Sequence, residues 1–184
     1  MIEHMPQILD FITPTSLKVL DYFFARPSTE YHEREVMRVT GISKGSANRI
    51  LRMLAERALL ERTEKGRMVF YRLNASDPFV RQMKAAENIW ALRSFVSGLK
   101  ESARKVILFG SCAEGTDSVE SDIDVLVLTD DKRAAKDKVS AFNRTSPRLM
   151  APIILDMREF ASLGHGDWPL YERMDRGIVL WEMA

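Results

Sequence analysis

Two stretches of the chain hold residues whose types and spacing could do chemistry. From Leu108 to Leu128 the sequence reads LFGSCAEGTDSVESDIDVLVL, in which one apolar run ends in Gly110-Ser111 and a second opens on Asp122 and Asp124. A Gly-Ser pair between a strand and a helix suits a phosphate. Gly110 lets the backbone approach closely, Ser111 offers a hydroxyl, and the amides of the following turn point outward at the positive end of the helix dipole. Asp122 and Asp124 flank Ile123, so on a strand both carboxylates project from one face, about 7 Å apart, while the isoleucine turns to the core. Two such acids repel one another unless a cation lies between them. A hard divalent ion such as Mg²⁺, shared between carboxylates and substrate phosphates, answers that repulsion.

The second stretch is ISKGSANRILRMLAERALL followed by ERTEKGRMVFYRL. The first part is an amphipathic helix with Ser43 as its N-cap and Ile50, Leu51, Leu54 and Leu59 facing inward. It carries Lys44, Arg49, Arg52 and Arg57 against the single acid Glu56. The second part switches to a two-residue period around Lys65-Gly66 and reads as a hairpin, with Arg62, Lys65, Arg67 and Arg72 against Glu61 and Glu64. Ahead of them, Thr15 to Ala25 repeats Leu17, Leu20, Phe23 and Phe24 at helical spacing, and YHEREVMRVTG gives a short helix with Val36, Met37 and Val39 inward. Three helices with a turn of about three residues between the last two, closed by a basic hairpin, make a winged helix-turn-helix. In that arrangement Ser43, Lys44, Ser46, Asn48 and Arg49 face the major groove of double-stranded DNA, while Lys65 and Arg67 contact phosphates. Winged helices also serve as protein–protein modules. A homodimer is expected if paired DNA half-sites are read.

The elements that position these residues follow from pattern. Ser76-Asp77-Pro78 opens a long helix to about Leu99, with Phe79, Met83, Ala86 and Trp90 as its stripe. After it come a strand at KVILFG, another at SDIDVLVLTD, a helix at DKRAAKDKVSAFNR, a strand at APIILDM, two short helices, and a closing strand at GIVLWE. The expected fold class is α+β or α/β in three parts. Residues 1–75 form the winged helix-turn-helix, 76–100 a linker helix, and 101–184 a small mixed-sheet domain.

Bulk properties narrow the field. The chain has 184 residues, 46% hydrophobic, enough to bury a core, and net charge +1. That balance hides an asymmetry: Met1 to Arg104 carries 17 Lys+Arg against 12 Asp+Glu, and the remainder 10 against 14. A basic module joined to an acidic one suits polyanions on one side and cations on the other. No apolar run reaches membrane-spanning length and the N-terminus lacks the order of a secretory signal, so the expectation is a cytoplasmic protein without a membrane partner. The single cysteine, Cys112, excludes an intramolecular disulfide and a multi-cysteine zinc site. His4, His32 and His165 have no ligand spacing. Trp90, Trp168 and Trp181 read as packing residues.

GSCAEGTDSVESDIDVLV resembles the Gly-Ser and Ser-Asp-Ile-Asp signature of the minimal nucleotidyltransferases of the DNA polymerase β-like superfamily, and YERMDRGIVLWE is similar to that family's final helix and strand. The resemblance covers roughly Lys105 to Glu182. It implies that Gly110 and Ser111 hold the triphosphate of a nucleoside triphosphate, that Asp122 and Asp124 hold two Mg²⁺ ions, and that a nucleoside monophosphate passes to an acceptor, a small molecule or a partner protein. The family's third carboxylate, on the next core strand, falls at Ile153 here. Nearby Asp156 heads a capping-box pattern, Asp156-Met157-Arg158-Glu159. A chain lacking that acid also fits a DNA-binding regulator or antitoxin-like protein whose transferase domain senses a nucleotide or dimerises.

Overall fold

The computed structural model describes residues 11–183. His4 lies outside the described residues, as does the side chain of His165. The chain divides into two compact units, Met1–Val80 and Arg81–Ala184.

In the first unit, α1 (Pro14–Ala25) is opened by Thr13, whose side chain accepts from the Ser16 amide while Ser16 answers in a capping box. Its buried face is Ser16, Val19, Leu20, Phe23 and Phe24, whereas Leu17, expected inward, is 36% exposed. A two-residue strand, β1 (Tyr31–His32), precedes α2 (Glu33–Thr40). Tyr31-His32 therefore does not belong to the helix that the sequence suggested. His32 caps α2, its Nδ1 accepting from the Arg34 amide at 3.2 Å. Val36 and Thr40 are buried, while Val39 is 53% exposed. Ser43 caps α3 (Lys44–Glu56), which buries Ala47, Ile50, Leu51 and Leu54. Strands β2 (Leu60–Lys65) and β3 (Met68–Leu73) pair antiparallel across Gly66-Arg67, and β1 adds to the far edge of β3, giving the order β1-β3-β2.

Helix α4 (Pro78–Ala91) is opened by Asp77, whose carboxylate accepts from the Val80 amide at 3.0 Å. The helix ends at Ala91, and a separate short α5 (Arg93–Ser97) follows, so the single long linker helix is two helices. The division between units falls inside α4. Its buried positions are Val80, Lys84 and Ala85, with Leu92 beyond its end; Phe79 and Trp90 are 40% and 70% exposed. The apolar stripe is thus rotated from the expected one, because the helix turns Lys84 and Asn88 inward to meet polar partners.

The second unit holds a four-stranded mixed sheet in the order β6-β5-β4-β7. Strand β4 (Ala103–Leu108) pairs antiparallel with both β5 (Ile123–Thr129) and β7 (Ile178–Glu182), while β5 and β6 (Met150–Leu155) are parallel, as the crossover through α7 (Lys132–Thr145) requires. Because side chains alternate, Val106, Leu108, Val125 and Val127 pack with Phe95, Val96, Ala135 and Val139 on one face. Ile107, Phe109, Leu126 and Leu128 pack with Met174, Phe160 and Leu170 on the other. The latter face is covered by α8 (Met157–Gly166) and α9 (Trp168–Asp175). Among the described residues no helix is long and apolar enough to cross a membrane.

Candidate functional site

The register of β4 against β5 sets Leu108 opposite Val125, which brings the end of one strand beside the start of the other. The Phe109 amide donates to the Asp124 carbonyl at 3.1 Å, and the chain then turns at Gly110, φ 66°, into α6 (Gly110–Glu114). A Cβ on Gly110 would lie 2.3 Å from Asp124 Oδ2. Glycine is required here by both its positive φ and this approach. Ser111 follows on the same turn, half-buried, its carbonyl accepting from the Thr116 amide at 3.0 Å. Its hydroxyl has no hydrogen-bond partner among the described residues. Since α6 is one turn long, the dipole anticipated from the sequence shrinks to the few free amides of that turn.

Asp124 shares the sheet face of Leu126. Burial pushes its carboxyl above the ordinary carboxylate range, Arg173 pulls it back, and Asp122 pushes it up again. Asp122 is exposed and stands immediately before β5 rather than on it, because the strand begins at Ile123. Gly110, Ser111, Asp122 and Asp124 are therefore gathered at one end of the β4–β5 pair.

The sequence reading missed the cations at this site. Strand β7 begins with Ile178 opposite Leu108, which lays the last turn of α9 alongside Gly110. A cleft of about 300 Å³ opens there, lined by Gly110, Glu114, Glu172, Arg173 and Arg176 among others. The Arg173 guanidinium lies 5.9 Å from the Phe109 ring centre, and Arg176 pairs with Glu172 at 2.6 Å. The only signal in the sequence was two arginines closing an amphipathic helix, which is ordinary for a helix C-terminus.

Strand β6 contributes no acid. Ala151 stands opposite Asp124, and Ile153 opposite Leu126, where it packs into the apolar cluster on that face. Asp156 is the N-cap of α8: it accepts from the Arg158 and Glu159 amides at 2.9 Å each, while Glu159 accepts from the Asp156 amide at 2.8 Å. These amides, with Lys132 3.6 Å away, hold its carboxyl below the usual range. One of its oxygens, Oδ1, takes both helix-end amides, and the other faces Lys132. Among the described residues no group of three or more His, Cys, Asp or Glu is placed to hold a metal ion.

Behind the Gly-Ser turn lies a buried polar cluster that the sequence did not announce. Asp117 accepts from Arg148 at 2.9 Å and from Asn88 at 3.1 Å, and Lys84 donates to its carbonyl. Arg148 also donates to the Ser121 carbonyl at 3.0 Å and to Cys112 Sγ at 2.9 Å, and Asn88 to the Cys112 carbonyl at 3.0 Å. Burial draws the Lys84 ammonium down from its ordinary value, against the pull of Asp117. This cluster ties the middle of α6, at Cys112, and the loop before Asp122 to α4. Gly115, φ 67°, completes the junction: a Cβ there would meet the Arg81 carbonyl oxygen at 2.0 Å.

The residues expected to contact DNA are spread over α3 and the β2–β3 loop, and their side chains are unequally free. Ser43 and Ser46 bond one another at the helix cap, 3.0 Å apart. Asn48 Nδ2 donates to Glu33 at 2.9 Å, and Lys65 pairs with Glu30. Lys44, Arg49 and Arg67 have no ion-pair partner among the described residues.

A family model, the nucleotidyltransferase domain, matches residues 89–162, the stretch that contains Gly110, Ser111, Asp122 and Asp124. Among solved structures, one from Sulfolobus solfataricus, described as a "putative nucleotidyltransferase", is similar over 56% of this chain and 87% of its own, at 21% identity and a TM-score of 0.38. No curated protein matches the chain.

Proposed function

We propose that the second unit is a Mg²⁺-dependent nucleotidyltransferase. The observation that carries this is the seating of the Gly110 turn against Asp124, with only the room of a missing Cβ between backbone and carboxylate. A phosphate on the Gly110-Ser111 amides and hydroxyl would lie next to the two acids, which is where a phosphate-bridging cation belongs. The residues fit such an ion: Asp124 is partly buried and repelled by Asp122, a strain that a divalent cation relieves. When bound, Mg²⁺ supplies charge neutralisation for the phosphates in an in-line displacement.

The chain's own residues orient the substrate. Gly110 and Ser111 hold the triphosphate, and Arg173 and Arg176 face the charge that grows on the leaving pyrophosphate. The acceptor oxygen bonds to the α-phosphorus as the bond to the bridging oxygen breaks, and the acceptor proton passes to solvent. With α-labelled nucleoside triphosphates and candidate small-molecule or protein acceptors, label should appear on the acceptor and vanish in Asp122→Ala with Asp124→Ala. Transfer that persists in the double variant overturns the assignment.

A second reading rests on β6. With Ala151 and Ile153 on the face of Asp124, no third carboxylate stands ready to activate an acceptor. Under this reading the site binds the nucleotide without transfer, and the chain is a regulator. The first unit then does the output as a winged helix-turn-helix on double-stranded DNA, supported by the unpaired cations Lys44 and Arg49 on α3 and Arg67 at the hairpin tip. Duplex affinity that falls steeply with salt, and falls again in Arg49→Gln with Arg67→Gln, is the expected result. A flat salt response removes the DNA assignment.

A further inference from the structure

The sheet face away from Asp124 carries a second concavity, about 400 Å³, with Ile89, Val96 and Leu180 as its apolar lining and Arg93, Ser94, Ser97 and Lys100 as its polar lining. Its cations differ from others in this unit. Arg104 pairs with Asp130, Lys105 with Glu182, Arg148 with Asp117 and Arg176 with Glu172. Arg93 and Lys100 take rings instead: the Arg93 guanidinium lies 4.3 Å from the centre of Trp90, and Lys100 Nζ 4.8 Å from that of Trp181. An aromatic ring holds a cation in place without cancelling its charge. Among the described residues no acid lines the groove. Lys138 adds a third cation close by, its Nζ 3.4 Å from where a Cβ on Gly98 would stand.

Among the described residues Trp90 is the most exposed of the large apolar side chains, at 70%. One side of its ring meets Arg93, and the exposure leaves the rest open to a flat partner. Unpaired cations and two serine hydroxyls in one groove, with an open indole held against Arg93 beside it, are the parts that hold a sugar-phosphate backbone and stack a base. A duplex cannot use the indole, because its bases are already stacked on one another. An acidic peptide would use the cations and leave the ring bare.

We infer that this groove binds a single-stranded polynucleotide, with phosphates on Arg93 and Lys100 and a base against Trp90. The site lies on the opposite face of the sheet from Asp124 and stands apart from the transfer reaction.

The test is anisotropy of labelled decauridylate with the full chain across a salt series, with a duplex of matching length as control. Trp90→Ala should weaken decauridylate binding about tenfold, and Trp90→Tyr should restore most of it. Arg93→Gln with Lys100→Gln should weaken it at least as much and flatten the log–log salt slope by about 1.4. Duplex binding should be unchanged in all three. These side chains are exposed, so circular dichroism should show each variant folded. Absence of decauridylate binding, affinity unaltered in the variants, or capture of inorganic phosphate without the oligonucleotide overturns the inference.

Discussion

Two charged clusters lie within a few residues of each other in the second unit, and they are built on opposite principles. At Asp117 every charge is met: Arg148, Asn88 and Lys84 surround the residue, and their spare donors reach the Cys112 and Ser121 carbonyls. At Asp122 and Asp124 the acids repel one another, with the Arg173 charge near and no hydrogen bond to either carboxylate among the described residues. Buried polar groups are ordinarily satisfied, which accounts for the first cluster, whereas the exposed Asp122 and half-buried Asp124 keep bonding capacity to spare. Under the proposed function, unmet bonding capacity is what marks the acids as the site, while the satisfied cluster ties the loop before Asp122 to α4.

Breaking the satisfied cluster should have the largest effect on stability. Asp117→Ala leaves the buried Lys84 and the partly buried Arg148 without their acid, a loss of about 3–5 kcal/mol. Chemical denaturation checks this, and a loss under 1 kcal/mol would mean that the cluster is solvated. Breaking the unsatisfied pair should do the reverse. Asp122→Ala with Asp124→Ala should lower transfer by on the order of a hundredfold or more, as removal of electrostatic stabilisation does elsewhere, while leaving the melting temperature intact.

Gly110→Ala sits between the two regimes. Its Cβ must displace the Asp124 carboxylate, so nucleotide affinity should fall roughly tenfold, alongside a destabilisation of about 1–2 kcal/mol from the positive φ. Equal nucleotide binding in this variant would separate the turn from the acids. The smallest effect sharpens the comparison most. Asp124 has a raised carboxyl, so its ionised form costs the metal-free fold stability at neutral pH, a cost that disappears as pH falls through its folded pKa. Asp124→Asn should therefore raise the metal-free melting temperature slightly at pH 7, with the gain shrinking on acidification. On acidification, metal-dependent nucleotide affinity in the wild type should begin to weaken at a pH already above the usual carboxylate range.

Much of this was legible in the sequence because it depends on local pattern. The apolar runs before Gly110 and after Asp122 fix β4 and β5, and with them the place of Asp124 on the strand, whereas Asp122 stands one residue ahead of it. The capping box at Asp156 was equally readable, since four consecutive residues contain all of it. What escaped depends on contacts distant in sequence. Lys84 looks like a surface residue until Asp117 is known to lie against it, and that pairing rotated the stripe of α4 and left Trp90 outside. Arg173 became relevant only when β7 paired with β4. The charge asymmetry between halves also softens when the boundary moves into α4. Met1–Val80 carries 12 Lys+Arg against 10 Asp+Glu, and Arg81–Ala184 carries 15 against 16, because several cations of α4 and α5 belong with the acidic sheet.

The most direct test of the central claim is calorimetric titration of nucleoside triphosphates into the wild type and Asp124→Asn, each with Mg²⁺ and then with EDTA. The account predicts binding that requires Mg²⁺ in the wild type and is lost in Asp124→Asn, although that variant is folded and no less stable. Absence of Mg²⁺-dependent binding in the wild type, or equal binding by the variant, would contradict it.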